Sequence, residues 1–173
     1  ISSLWILLYT GNVLEALYKN FFRDNKKFDP VLKALEKVPI FENLLKNELK
    51  NIAQLTHERS YQLNEYVFKK HAPAEGMYVI LDGEIEIKDP KSGNIFANLT
   101  SGDFFGELAL LDEEPRSASA ICNKPTRLIG FFRTDLLTLI KRYPLLGNKI
   151  LLNLSRVLGE RLRNANKNII RSR

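Results

Sequence analysis

Cysteine occurs once in the 173 residues, at Cys122, and histidine only twice, at His57 and His71. A lone thiol excludes an internal disulfide, and these three side chains fall short of a zinc-type ligand cluster, so no metal site and no cofactor are expected. A reducing, cytoplasmic setting is the matching expectation. The scarcity of histidine also argues against catalysis. No serine, cysteine or carboxylate has a histidine partner in a strand-to-helix elbow, and an enzyme is not expected. No apolar run approaches the length that spans a bilayer, which leaves membrane contact only to flanking segments. The opening ISSLWILLYTG has a short apolar core from Leu4 to Tyr9 and no basic leader, so it does not read as a signal peptide. Because the chain begins at Ile1, it is expected to be a piece of a longer protein or a processed product.

What is present suits one globular domain with a helical appendage. Hydrophobic residues make up 45% and charged residues 27%, which fits neither a disordered tail nor a membrane bundle. The net charge is +6, and much of it is local: from Arg156 to Arg173 six basic residues face one acid, Glu160. A solvated helix face accounts for that run. It lacks aromatic interleaving or a recognised reader, so nucleic acid is not an expected partner.

Residues 1–22 read as a helix, with Leu7, Leu14, Leu17 and Phe21 at helical spacing, and RDNKK at 23–27 breaks it. The appendage, 1–28, is a candidate contact for a second copy or an upstream effector domain. Asp29 and Pro30 open a further helix, and Leu45, Leu49, Ile52 and Leu55 predict another over 44–55. From Arg59 to Phe132 the period switches to two. Segments such as MYVIL, EIEIK, IFANL, RSASAIC and TRLIGFF are short and separated by turn residues, which predicts an antiparallel sandwich, jelly roll or barrel. Alternation in EIEIK points Ile85 and Ile87 inward and the charges into water. Helix returns at Thr134 and restarts after Pro144, with Leu151, Leu154, Leu158, Leu162, Ala165 and Ile169 forming one apolar stripe. The expected class is α+β, an antiparallel β jelly roll flanked by N-terminal helices and a long C-terminal helix. Its domain would cover 29–173, with the roll at about 57–132 and the C-terminal helices at about 134–170.

FFGELALLDEEPRSASA, at 104–120, holds the chemistry. Gly106 before a short helical turn lets a ligand approach the backbone, and Leu108 and Leu111, three apart, would anchor that turn on the core. Arg116 shares a strand face with Ala118, Ala120 and Cys122, all small, so an inward arginine would enter a roomy pocket. There its planar fork must meet an anion. That anion is either a ligand or one of Glu107, Glu113 and Glu114. Glu107 offers acceptors suited to hydroxyls, so one ligand bearing a phosphate and a sugar hydroxyl would engage both residues.

FGELALL followed by PRSA resembles the phosphate-binding cassette of cyclic nucleotide-binding domains. VPIFENLLKNELKNIA, the MYVILDGEIEI hairpin and the final RLRNAN helix also resemble their counterparts in family order, over about residues 30–170. The resemblance implies that Glu107 accepts the ribose hydroxyl and Arg116 pairs the cyclic phosphate. The N–H groups of Leu108 and Ala109 would complete the cradle, Gly106 permitting the approach, and Ser117 would add a hydroxyl beside phosphate or base. The terminal helix would lid the purine through Arg163, Asn164 and Asn166. An asparagine amide matches adenine's edge, so cyclic AMP is favoured over cyclic GMP. Two other readings stay open: a fold relative without nucleotide binding, and the sensor part of a DNA-binding regulator. One departure is local, since Lys70, His71 and Ala72 stand where family members often carry a glycine.

Overall fold

The computed structural model describes residues 30–171. Helix α1 covers 30–36, a 3-10 turn follows at Pro39–Phe41, and α2 runs Lys46–Ala53. Glu48 turns back to accept the Leu45 N–H at 2.8 Å, which satisfies one of the donors that a helix start leaves unpaired. Eight strands come next: β1 (His57–Tyr61), β2 (Tyr66–Phe68), β3 (Gly76–Asp82), β4 (Glu84–Lys88), β5 (Ile95–Thr100), β6 (Phe104–Phe105), β7 (Ser119–Cys122) and β8 (Thr126–Phe132). Helices α3 (Arg133–Arg142) and α4 (Pro144–Arg171) complete the described chain. The appendage expected at 1–28 lies outside the described residues. Among those described, no helix is long and apolar enough to cross a membrane.

The strands form two four-stranded antiparallel sheets, ordered β1-β8-β3-β6 and β2-β7-β4-β5. This is the jelly roll that the alternating segments predict. MYVIL and LIGFF are apolar almost throughout because both faces of β3 and β8 are covered. Met77, Val79, Ile129 and Phe131 pack toward the helices, whereas Tyr78, Ile80 and Leu128 pack between the sheets with Ile85, Phe105 and Ala120. In β4, Ile85 is buried and Ile87 partly so, while Glu86 and Lys88, each partly exposed, pair at 2.8 Å.

Helix α4 keeps its expected face only in part. Leu151, Leu154 and Leu158 of the expected stripe pack against the core beside the buried Leu146, Ile150 and Val157, whereas Leu162 is 63% exposed and Ala165 is exposed. The stripe thus leaves the core beyond Leu158. A polar tie sets the helix in place: the buried Asn153 amide donates to the carbonyls of Ile40 at 3.2 Å and Glu42 at 2.8 Å. The Ile40 carbonyl would otherwise be buried unpaired, and the Glu42 bond adds a second tie at the end of the 3-10 turn.

Candidate functional site

A cavity of about 390 Å³ opens at the end of the roll, between β2, β4, β5, the 104–118 segment and α4. That is within the range of small-ligand sites, roughly 300–1,000 Å³. Phe68, Ile87, Ala97 and Leu99 give it an apolar wall, and Gly106, Glu107, Arg116 and Ser117 face them.

Gly106 has φ +76°, in the left-handed region, and caps a four-residue 3-10 helix, Glu107–Leu110. A Cβ there would lie 2.7 Å from Arg116 Nη1, so the position needs glycine for its conformation and for its space. Three residues make one 3-10 turn, so positions three apart share a face. Leu108 and Leu111 do share one, but it is the outer face: they are 51% and 49% exposed, and Glu107 and Leu110 point inward instead. The anchoring role expected of the two leucines is thereby corrected. Leu108 lines the cavity mouth, and the Ala109 N–H already donates to the Gly106 carbonyl at 3.2 Å.

Arg116 precedes β7 rather than standing in it, a second correction, yet Arg116, Ala118, Ala120 and Cys122 are all buried as the small-residue face requires. The residue is fixed through its backbone. Its N–H donates to the Ala72 carbonyl at 2.9 Å, and its carbonyl accepts from the His71 N–H at 2.8 Å. The side chain donates from Nη2 to the Gly76 carbonyl at 2.7 Å and from Nη1 to the Gly106 carbonyl at 3.3 Å, and it sits over the Phe68 ring. Burial pulls its pKa below the usual arginine value, against the opposing influence of Tyr78, Glu75 and Glu107.

The three acids that competed for Arg116 are placed elsewhere. Glu113 pairs with Arg133 at 3.0 Å, Glu107 pairs with Arg161 at 2.5 Å, and Glu114 is exposed at the cavity rim. Arg116 Nε and Glu107 Oε2 are left as buried polar atoms without a hydrogen-bond partner. Such atoms are costly unless something occupies them. One is a cationic donor and the other an anionic acceptor, and both belong to residues lining one cavity. A molecule with an anionic group and a hydroxyl fits that pair.

Of the sequence-predicted residues, Gly106, Glu107, Leu108, Ala109, Arg116 and Ser117 come together around the cavity. Arg163, Asn164 and Asn166 do not line it and are exposed along α4. Among the described residues, the α4 residue that does line it is Arg161. A signal for it existed: Arg161 lies seven residues beyond Leu154 and four beyond Val157, so it continues the buried face as a cation where an apolar residue would otherwise fall.

Residues 58–143 match the family model described as a cyclic nucleotide-binding domain. Over 130 residues the chain is 33% identical to the cyclic AMP receptor protein of Thermus thermophilus, covering 73% of this chain and 58% of that protein. Over 121 residues it is 29% identical to a cGMP-dependent protein kinase, isozyme 2, of Drosophila melanogaster, covering 68% of this chain but 12% of the kinase. The chain thus spans little more than half of one relative and a small part of the other. The crystal structure of a cyclic nucleotide-binding domain from Methylobacillus flagellatus superposes with a TM-score of 0.72 at 27% identity, over 86% of this chain and 85% of that one. A roll of this topology, closed by a glycine-capped turn and a buried arginine that lacks a protein counter-ion, places the chain in the cyclic nucleotide-binding domain family, as a regulatory, ligand-binding domain.

Proposed function

We propose that the domain senses cyclic AMP in preference to cyclic GMP, and that movement of α4 against the 104–118 cassette is the signal. The cyclic phosphate engages Arg116, the ribose hydroxyl engages Glu107, and Ser117 stands beside the phosphate or base. The observation that supports this reading is the pair of unpartnered buried atoms, Arg116 Nε and Glu107 Oε2, which belong to two residues lining one cavity. An interaction module that had lost its ligand has no use for a buried guanidinium without a protein acid. The preference for cyclic AMP draws support from the higher identity to a protein named as a cyclic AMP receptor than to one named as cGMP-dependent.

The energetics require more than one contact. Moving a population from mostly open to mostly closed takes about 3–5 kcal/mol of differential binding. A charge-assisted hydrogen bond contributes about 1.5–3 kcal/mol. Cassette and α4 therefore act together. The same proposal sets the domain in the cytoplasm, with residues 1–28 as its link to a second copy or to an upstream effector.

Calorimetry of the chain and its Arg116→Ala variant with cyclic AMP and cyclic GMP tests the reading. Tighter binding of cyclic AMP, lost in the variant, is the expected result. Equal binding by the two proteins removes Arg116 from the site, and tighter binding of cyclic GMP reverses the preference.

A further inference from the structure

The two sheets end in four edge strands, β1, β6, β2 and β5. An open edge offers its unpaired N–H and C=O groups to any other strand, and proteins commonly blunt it with charge, a bulge or brevity. Three of these edges are blunted in that way. β1 carries the exposed Glu58 and Arg59, β6 is two residues long, and β2 is three residues long with a register shift. β5 is different. Its six residues, IFANLT, include no charge and no proline, and Ile95 and Phe96 are 54% and 61% exposed.

The backbone of β5 shows which groups are on offer. Thr100 turns both of its groups to Asp103: its N–H donates to Oδ2 at 2.8 Å, and its carbonyl accepts from the Asp103 N–H at 2.9 Å. Opposite Thr100 in the ladder, the Glu84 carbonyl accepts from the Asn123 N–H, on the far side of β4. Thr100 therefore stands at a position that does not bond to β4, and the same holds for Phe96 and Asn98, which share its parity. Their backbone groups face outward along the open edge.

We infer that this edge docks β5 of a second copy of the chain, antiparallel about a two-fold axis at Ala97. In that register Phe96 of each copy stands opposite Asn98 of the other, and the outward groups bond in both directions. Ala97 meets Ala97, and Ile95 of one copy meets Leu99 of the other, beside the apolar wall that Ala97 and Leu99 give the cavity. The ends complement each other in charge as well. The turn before β5 holds Lys91, and the pairing brings it alongside Asp103 of the other copy, both being exposed. The contact uses the same strand on both copies, so it closes on itself as a dimer. Being small, it is reversible and depends on concentration.

Sedimentation velocity across a range of concentrations reads the dimer, and disulfide trapping reads its register. Asn98→Pro removes an outward N–H without costing a bond to β4, and Phe96→Lys sets a charge on each side of the axis. Each is expected to weaken dimerisation by about tenfold, whereas Leu152→Lys, on the exposed face of α4, leaves it unchanged. Ala97→Cys brings two thiols to the axis, where the Cα separation of a non-hydrogen-bonded pair, about 4.5 Å, suits a disulfide. Diamide should cross-link that variant but not Ile95→Cys, nor the unaltered chain, whose single Cys122 is buried. Circular dichroism checks that the variants fold. A chain that is monomeric at every concentration overturns the inference, as does a dimer that survives both edge variants or is lost in Leu152→Lys. Cross-linking of Ile95→Cys in place of Ala97→Cys overturns the axis at Ala97. Nucleotide is absent throughout, so these outcomes stand apart from the reading of the cavity.

Discussion

The central guanidinium carbon of Arg116 sits 4.1 Å from the centroid of the Phe68 ring. That contact, with two backbone carbonyls, replaces the ion pair that a buried arginine would ordinarily require, because no carboxylate among the described residues pairs with it. Carbonyls and a ring face hold the group in place without cancelling its charge. The cation is thereby held ready for an incoming anion.

Arg116→Lys separates charge from shape. An ammonium cannot divide itself between the Gly76 and Gly106 carbonyls while covering the Phe68 ring, so the charge survives but its placement does not. Nucleotide affinity is expected to fall by about tenfold or more, one charge-assisted bond's worth, with the fold retained. Calorimetry checks the affinity and circular dichroism the fold. Unchanged affinity would mean that the phosphate needs only a nearby positive charge.

Gly106→Ala strikes the same site from the backbone. The left-handed conformation costs a residue with a Cβ about 1–2 kcal/mol, and this Cβ would also press on Arg116 Nη1 at 2.7 Å. A thermal melt should record a stability loss of at least that size, and titration a weaker nucleotide complex. A variant that melts like the unaltered protein would show that the cassette can adopt another entry to its 3-10 turn.

Much of this arrangement is legible in the sequence, and the parts that are not have physical reasons. The roll is legible because alternation in EIEIK and the doubly apolar MYVIL and LIGFF report whether one or both faces of a strand are covered. Glu107 and Arg116 are legible because charges among apolar neighbours need a partner. The face of α4 is legible only in part. Leu151, Leu154 and Leu158 reach the core as their spacing predicts, but Leu162 is exposed, and periodicity does not say where along a long helix the stripe leaves the core. Arg161 lies beyond that point and is missed. The 3-10 turn hides Leu108 and Leu111 for a related reason: spacing says that they share a face, and only the left-handed Gly106 decides that the face is outward.

His71 carries a conformation better suited to glycine. Its φ is +68°, and its N–H donates to the Arg116 carbonyl, so the strained residue lies against the residue that holds the site's charge. The position matches the departure seen in the sequence, where Lys70, His71 and Ala72 replace a glycine common in the family. His71→Gly is expected to raise stability by up to about 1 kcal/mol, the relief of the left-handed penalty reduced by glycine's larger chain entropy. His71→Val, branched at Cβ, lowers it. Urea titration orders the three proteins, and the prediction fails if the valine variant is the most stable.

Acid should loosen the base of α4. Glu48 of α2 accepts from Lys149 of α4 at 2.8 and 3.0 Å, and that bond, followed by the Leu45 N–H, holds its carboxyl below the usual carboxylate range. A carboxyl depressed in the folded state stabilises the fold fully above its unfolded value, about 4.3, and loses that contribution as pH falls through the folded value. The pair is partly exposed, at 45% for Lys149 and 17% for Glu48, so solvent limits its worth to about 0.2–1 kcal/mol. Urea titrations of the unaltered protein and Lys149→Met should therefore differ by that amount near neutral pH. The difference should shrink toward zero at a pH below the depressed folded value, where the carboxyl is protonated in both folded and unfolded chains. A gap of equal size at both pH values would mean that Lys149 contributes through its aliphatic stem rather than through its charge.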